Sequence, residues 1–235
     1  MIRVPRFIVI SGGEAGAFYV RQLRRAAAAG KLDTDHIVVI DRDPACRARA
    51  EAALDLGDDP RVRIETAEWA EWLAAHLGEA GPDDHVVPYH WAPHLLLGWL
   101  EGELKRSGAL TARGGEVAPR GLPFEATTGA GDRALSYASW PCPPTCIEPA
   151  LCPHTGGPKD WSLAADLESG DGEGPAPVVF RCLHLVYGVG TIPVRAIFAA
   201  RDRLRADLTD GRRSYLVATS SHCHALATRL DVRPA

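Results

Sequence analysis

The chain has 235 residues, 46% hydrophobic and 24% charged, a balance that excludes a wholly disordered polypeptide. Lys and Arg number 26 against 30 Asp and Glu, a net charge of -4, so composition supplies no broad basic footprint for nucleic acid. The longest apolar runs stop short of the about 20 residues a spanning helix needs, so no membrane partner is expected. The N-terminal run Phe7-Ile8-Val9-Ile10 meets Gly12 and Gly13 too soon for a signal peptide. A cytoplasmic, reducing compartment is therefore expected, where six cysteines suit metal, redox or buried-thiol roles better than a disulfide framework.

Residues 6–10 (RFIVI) predict a strand ending in the turn Ser11-Gly12-Gly13-Glu14-Ala15-Gly16. An Ala-, Leu- and Arg-rich helix follows to about residue 29, closed by Gly30, and the β-branched run 36–40 predicts a second strand ending at Asp41. Strand, glycine turn, helix and strand make a βαβ unit, and near-continuous apolar strands suit a parallel sheet covered on both faces. These residues resemble the Rossmann dinucleotide-binding family, and the segment IVVIDRDP is similar to the second strand of TrkA-type NAD-binding domains. The resemblance implies NAD(P) bound at Ser11, Gly12, Gly13 and Gly16, with Asp41 accepting from a ribose hydroxyl. Ser11 stands where the family places its first glycine.

Further strands are expected near 61–65 and 84–88, with a helix at 67–77 between them and another running to about 105. His90 and His94 fall just beyond the fourth strand, at the edge where open α/β sheets bind ligands, and His90 is a candidate catalytic residue. Residues 107–139 show no sustained periodicity and read as irregular.

The segment Trp140–Gly156 holds Cys142, Cys146 and Cys152 among prolines, in a C-x3-C-x5-C-P arrangement. Proline fixes φ and lacks the N–H donor, so this is a rigid loop with preset thiol directions. Such thiolates suit an iron–sulfur cluster, most simply of four irons, with tetrahedral zinc as the alternative and a metal-free loop as the third reading. Residues 178–187 predict a strand, Gly188–Thr191 a glycine turn able to offer N–H groups to an anion, and 192–208 a helix. A strand at 214–219 ends in Ser220-Ser221-His222-Cys223-His224, followed by a short helical stretch. Cys223 is the expected fourth metal ligand; His222, Cys223 and His224 are also candidate catalytic residues, since an adjacent imidazolium would activate a thiol.

The expected fold is α/β. Residues 1–106 form a Rossmann-like, mostly parallel sheet with helices on both faces. Residues 107–177 are an irregular segment carrying the Cys/Pro-rich metal-binding loop, and 178–235 form a second βαβ-like unit completing the same sheet. The expected function is an iron–sulfur redox or Lewis-acid enzyme acting on a small molecule, with self-association left open. The alternative is a nucleotide-binding sensor or regulatory module with a structural zinc or a redox-switch loop.

Overall fold

The structure is a computed structural model that describes residues 1–54, 59–89, 94–128, 131–142, 146–170, 174–211 and 213–235. In chain order they form β1 (Ile2–Arg3), β2 (Arg6–Ile10), α1 (Glu14–Ala28), β3 (Leu32–Asp33), β4 (His36–Asp41), α2 (Arg47–Leu54) and β5 (Val62–Thr66). Next come α3 (Trp69–His76), β6 (His85–Val87), α4 (Leu95–Arg106), β7 (Ala109–Arg113), β8 (Phe124–Thr127) and β9 (Arg133–Ser136). The chain ends with α5 (Leu163–Ser169), β10 (Ala176–Arg181), β11 (Leu183–Val186), β12 (Val189–Pro193), α6 (Val194–Asp207), β13 (Arg213–Ser220) and β14 (His224–Pro234). The fold is mixed α/β and divides into two compact units: residues 1–95 with 183–196, and residues 96–182 with 197–235.

The first unit holds a sheet of order β11-β12-β6-β2-β4-β5. Strands β6, β2, β4 and β5 run parallel, while β12 and β11 extend the sheet antiparallel. Phe7, Ile8 and Val9 of β2 and Ile37, Val39 and Ile40 of β4 are fully buried, which is why these strands read as unbroken apolar runs. Helix α1 lays Ala17, Val20, Leu23 and Ala26 into the same core. It ends in a Schellman motif: Gly30, at φ 65°, donates to the Ala27 carbonyl and Lys31 to that of Ala26. Gly16 is required, because a Cβ there would lie 1.8 Å from the Ser11 carbonyl oxygen.

The second unit holds a sheet of order β10-β13-β14-β9-β8, with β7 pairing the far end of β14. Only β10 and β13 are parallel; the other pairings are antiparallel. Helix α5 contributes Leu163 and Leu167 to a core with Leu135, Leu216, Ala218 and Ala227.

Five expectations are corrected. The C-terminal third does not continue one sheet: β11 and β12 join the first sheet, whereas β10, β13 and β14 lie in the second. The single strand expected at 178–187 is accordingly two, broken at Cys182. The turn expected to face an anion is the tip of the β11–β12 hairpin, where Tyr187 and Gly188 take positive φ as a tight hairpin turn demands, and Gly190 lies inside β12. Residues 107–139 contain three short strands, and the stretch after His224 is an eleven-residue strand, not a helix.

Asp59 accepts from both Arg61 (Nε and Nη2, 2.8 Å each) and Arg24 (Nε, 2.8 Å), and these bonds hold its carboxyl well below the usual carboxylate range. A depressed carboxyl stabilises the fold above its unfolded pKa and loses that contribution as pH falls through the folded one. Asp59→Asn is therefore expected to cost about 1–3 kcal/mol at neutral pH. The difference from wild type should shrink steadily in acid, measured by denaturant titration at several pH values.

Candidate metal centre and glycine turn

In the first unit the structure brings Ser11, Gly12, Gly13, Gly16 and Asp41 together at the C-terminal ends of β2 and β4. Asp41 is buried, and its carboxylate organises the turn. Oδ2 accepts from the Gly12 N–H (2.6 Å) and the Ser11 hydroxyl (3.3 Å), and Oδ1 accepts from the Asp43 N–H (2.9 Å). Ser11 takes φ 79° and accepts from the Gly13 N–H at 3.2 Å, so it closes the turn where the resemblance expected a glycine. Cys46 packs on the same turn, since a Cβ at Gly12 would come within 2.5 Å of its Sγ. The turn is thus an internally bonded element in which Asp41 already accepts three hydrogen bonds. Gly13 has more room, its virtual Cβ meeting only the Ser11 Oγ at 3.4 Å. His94 is buried just before α4, and His90 lies outside the described residues.

The second unit carries the cysteines. Ser136 and Leu163 bound a stretch in which the described residues form turns and one isolated bridge, Leu151 to Pro158. The chain doubles back there: Cys152 N–H donates to the Gly157 carbonyl and Gly156 N–H to that of Cys152, both at 2.8 Å. Cys223 sits in the turn between β13 and β14, where Ser221 N–H bonds the His224 carbonyl at 2.8 Å. That turn is held from outside as well, because Tyr137 N–H donates to the Cys223 carbonyl and Leu163 N–H to that of His222, each at 3.0 Å.

Glu148 joins the two stretches. It takes φ 48°, uncommon for a residue with a side chain, and both carboxylate oxygens accept from the His222 N–H, at 3.1 and 3.2 Å. The thiols consequently feel one another. Burial raises the Cys142 pKa, and the charges of Cys146, Cys223 and Cys152 raise it further. Cys223 is raised mainly by burial, with Glu148 and Cys146 adding to it while the Trp161 indole and Lys159 oppose it. Cys152 is lowered, chiefly by the Thr155 N–H, with further donation from the His154 N–H and the Thr155 hydroxyl. Cys182, adjoining at the end of β10, is pushed up to about 12 by burial and by Glu148. All six cysteines are free.

The structure thus draws Cys142, Cys146, Cys152 and Cys223 into one neighbourhood. No group of three or more His, Cys, Asp or Glu among the described residues is arranged tightly enough to hold a metal ion. Beside Cys223, the His224 ring has another partner, and His222 bonds Glu148 through its backbone N–H. His224 Nδ1 lies 2.9 Å from the Ser136 hydroxyl, which itself bonds the backbone of Ala138, and the largest influences on Cys223 include no imidazole. Sequence reasoning passed over Glu148, Lys159 and Trp161. The one available signal was a carboxylate set among prolines between two cysteines.

Residues 96–233 match the family model AF_1314_C, described as "Uncharacterized protein, C-terminal domain". The chain belongs to this family. The AF_1314_C segment contains Cys142, Cys146, Cys152 and Cys223 together with Glu148 and Trp161, and leaves the glycine turn outside it. No curated protein and no solved structure matches the chain.

Glu148→Ala leaves the His222 N–H without its acceptor and unties the cysteine stretch from the hairpin turn. It is expected to cost about 1–3 kcal/mol and to speed alkylation of Cys223, read by mass spectrometry of the trapped thiol. Glu148→Gln, which keeps an acceptor oxygen, should recover most of both.

Proposed function

We propose that this chain is a cytoplasmic metal–thiolate protein in which Cys142, Cys146, Cys152 and Cys223 hold an iron–sulfur cluster, and that it serves a redox reaction on a small molecule. The observation that carries this reading is that Cys142 feels the charges of Cys146, Cys152 and Cys223, thiols drawn from two distant stretches of chain. The donor type suits such a group, because thiolates select iron–sulfur, zinc or copper(I) over harder cations, and the ligands would have to close up on binding, since no three of them among the described residues are arranged to hold an ion. The irregular spacing and the N–H groups aimed at sulfur favour iron–sulfur over zinc. Four thiols make a closed set, which suits electron transfer better than a Lewis-acid centre with one position open to substrate.

A cluster held by Cys142, Cys146, Cys152 and Cys223 would supply one-electron transfer between a one-electron donor and an acceptor. The chain's own residues do the rest. Backbone and hydroxyl donors at Thr155 and His154 favour the Cys152 thiolate, and Lys159 offsets charge near Cys152, Cys223 and His224. Glu148 fixes Cys223 against the cysteine stretch through the His222 amide. Among the described residues no helix is long and apolar enough to cross a membrane.

Replacing Cys142, Cys146, Cys152 or Cys223 singly with Ser is expected to lower iron and acid-labile sulfide content by at least half after anaerobic reconstitution. Cys46→Ser, in the first unit, should leave both unchanged. Colourless protein carrying one zinc per chain would move the cysteines to a structural role, as in the regulatory-module reading.

A second reading concerns the first unit, whose parallel strands β6, β2, β4 and β5 and glycine turn suit NAD(P), with exposed Arg42 beside Asp41. Gly13→Ala adds a methyl that the folded chain accommodates but that a pyrophosphate approaching the turn would meet. The expected result is at least tenfold weaker NAD(H) binding by calorimetry with an unchanged Tm. Equal affinity, or none in the wild type, removes the dinucleotide.

A further inference from the structure

Strand β5 is the last of its sheet, so one row of its backbone groups meets no neighbouring strand. The pairing with β4 fixes which row. Ile37 N–H donates to the Arg61 carbonyl at 2.8 Å and Ala67 N–H to that of Asp41 at 3.0 Å, so the odd-numbered residues bond β4. The backbone groups of Val62, Ile64 and Thr66 consequently face outward. An edge of this kind is a template for pairing with another chain. Arg49 occupies it. Its Nη2 donates to the Ile64 carbonyl at 3.1 Å and lies 3.5 Å from the Thr66 hydroxyl. The side chain is aimed from the first turn of α2, which is anchored on the glycine turn: Ala48 N–H donates to the Gly12 carbonyl at 2.7 Å, and Arg49 N–H to that of Cys46 at 3.0 Å.

Ile64 is also the position about which β5 would pair with its own copy. In a two-fold antiparallel pairing centred there, Val62 stands opposite Thr66 and Arg63 opposite Glu65. Arg63 and Glu65, which bond each other within one chain, would then meet the same pair of the copy with unlike charges opposed. The Val62 N–H is already given to the Asp59 carbonyl at 3.0 Å. The pairing therefore leans on the two reciprocal Ile64 bonds, and each needs the carbonyl that Arg49 takes. The second sheet treats its parallel edge alike. Cys182 N–H donates to the Ser220 carbonyl at 2.8 Å, so the even-numbered residues of β10 bond β13 and Pro177 faces outward. Proline offers no N–H at that edge, and Arg203 Nη1 donates to its carbonyl at 2.9 Å. We infer that Arg49 is an edge guard, closing β5 to the β5 strand of a second copy of this chain by holding the Ile64 carbonyl. Loss of the guard leaves a self-complementary edge open.

The test is sedimentation equilibrium of the full chain and of Arg49→Met, with amide hydrogen exchange read on the same samples. Methionine keeps an apolar stem and lacks every donor. The expected result is a monomeric wild-type chain and at least tenfold tighter self-association of Arg49→Met. In that dimer the amides of Ile64 and Thr66 should exchange at least tenfold more slowly. Lys31→Met removes one exposed positive charge outside β5 and α2 and should stay monomeric, which separates the lost bond from the lost charge. An Arg49→Met chain as monomeric as the wild type overturns the inference. So does a dimer whose new protection falls on β8, β10 or β11, or a wild-type chain already paired through Ile64. If Arg49→Met does not fold, Arg49→Gln, too short to reach the carbonyl, is read in its place against the same outcomes.

Discussion

The bond from the His222 amide to the Glu148 carboxylate ties together two stretches of chain 74 residues apart. Everything proposed for the second unit depends on it. On one side lies the proline-rich stretch that carries Cys142, Cys146 and Cys152; on the other lies a hairpin tip fixed by a long antiparallel ladder. An ionised acceptor makes a stronger bond than a neutral one. It also places a negative charge beside Cys223, Cys182 and His224. Assembly and electrostatics of the thiol group thus share one residue, and its backbone sits in the left-handed region to do so.

The two units use carboxylates in parallel ways. Asp41 closes the glycine turn of the first by accepting from two backbone N–H groups and the Ser11 hydroxyl. Glu148 closes the cysteine stretch of the second. In each, a polar side chain organises irregular backbone that the hydrophobic core leaves unspecified. The units also differ. The glycine turn has its acceptors occupied and Gly12 and Gly16 closely packed, whereas in the thiol group burial raises Cys142 and Cys223 while nearby N–H donors lower Cys152.

What the sequence made legible follows from how local the signal was. The strands at 6–10 and 36–41 were readable because burial on both faces leaves an unbroken apolar run bounded by glycine and aspartate. The three strands between 109 and 136 were not, since ALTAR, FEAT and RALS are short and mixed. They owe their place to the pairing of β7 and β9 with β14 and of β8 with β9, and to Glu125, which accepts from Arg133 and from the N–H groups of Arg120 and Leu122. Residues 224–234 carry alanine and leucine at spacings that mimic a helix, yet Leu230 and Val232 share one buried face of a strand. The thiol set was readable from residue type and proline context. Glu148 and Trp161 were not, because their roles exist only once distant stretches meet.

The most direct test is the visible absorption spectrum of the full chain purified without oxygen, with iron, zinc and acid-labile sulfide assayed on the same sample. The account predicts a brown protein with iron and sulfide in matching amounts, present on isolation or regained on anaerobic reconstitution. A colourless chain that binds neither iron nor sulfide after reconstitution would contradict it.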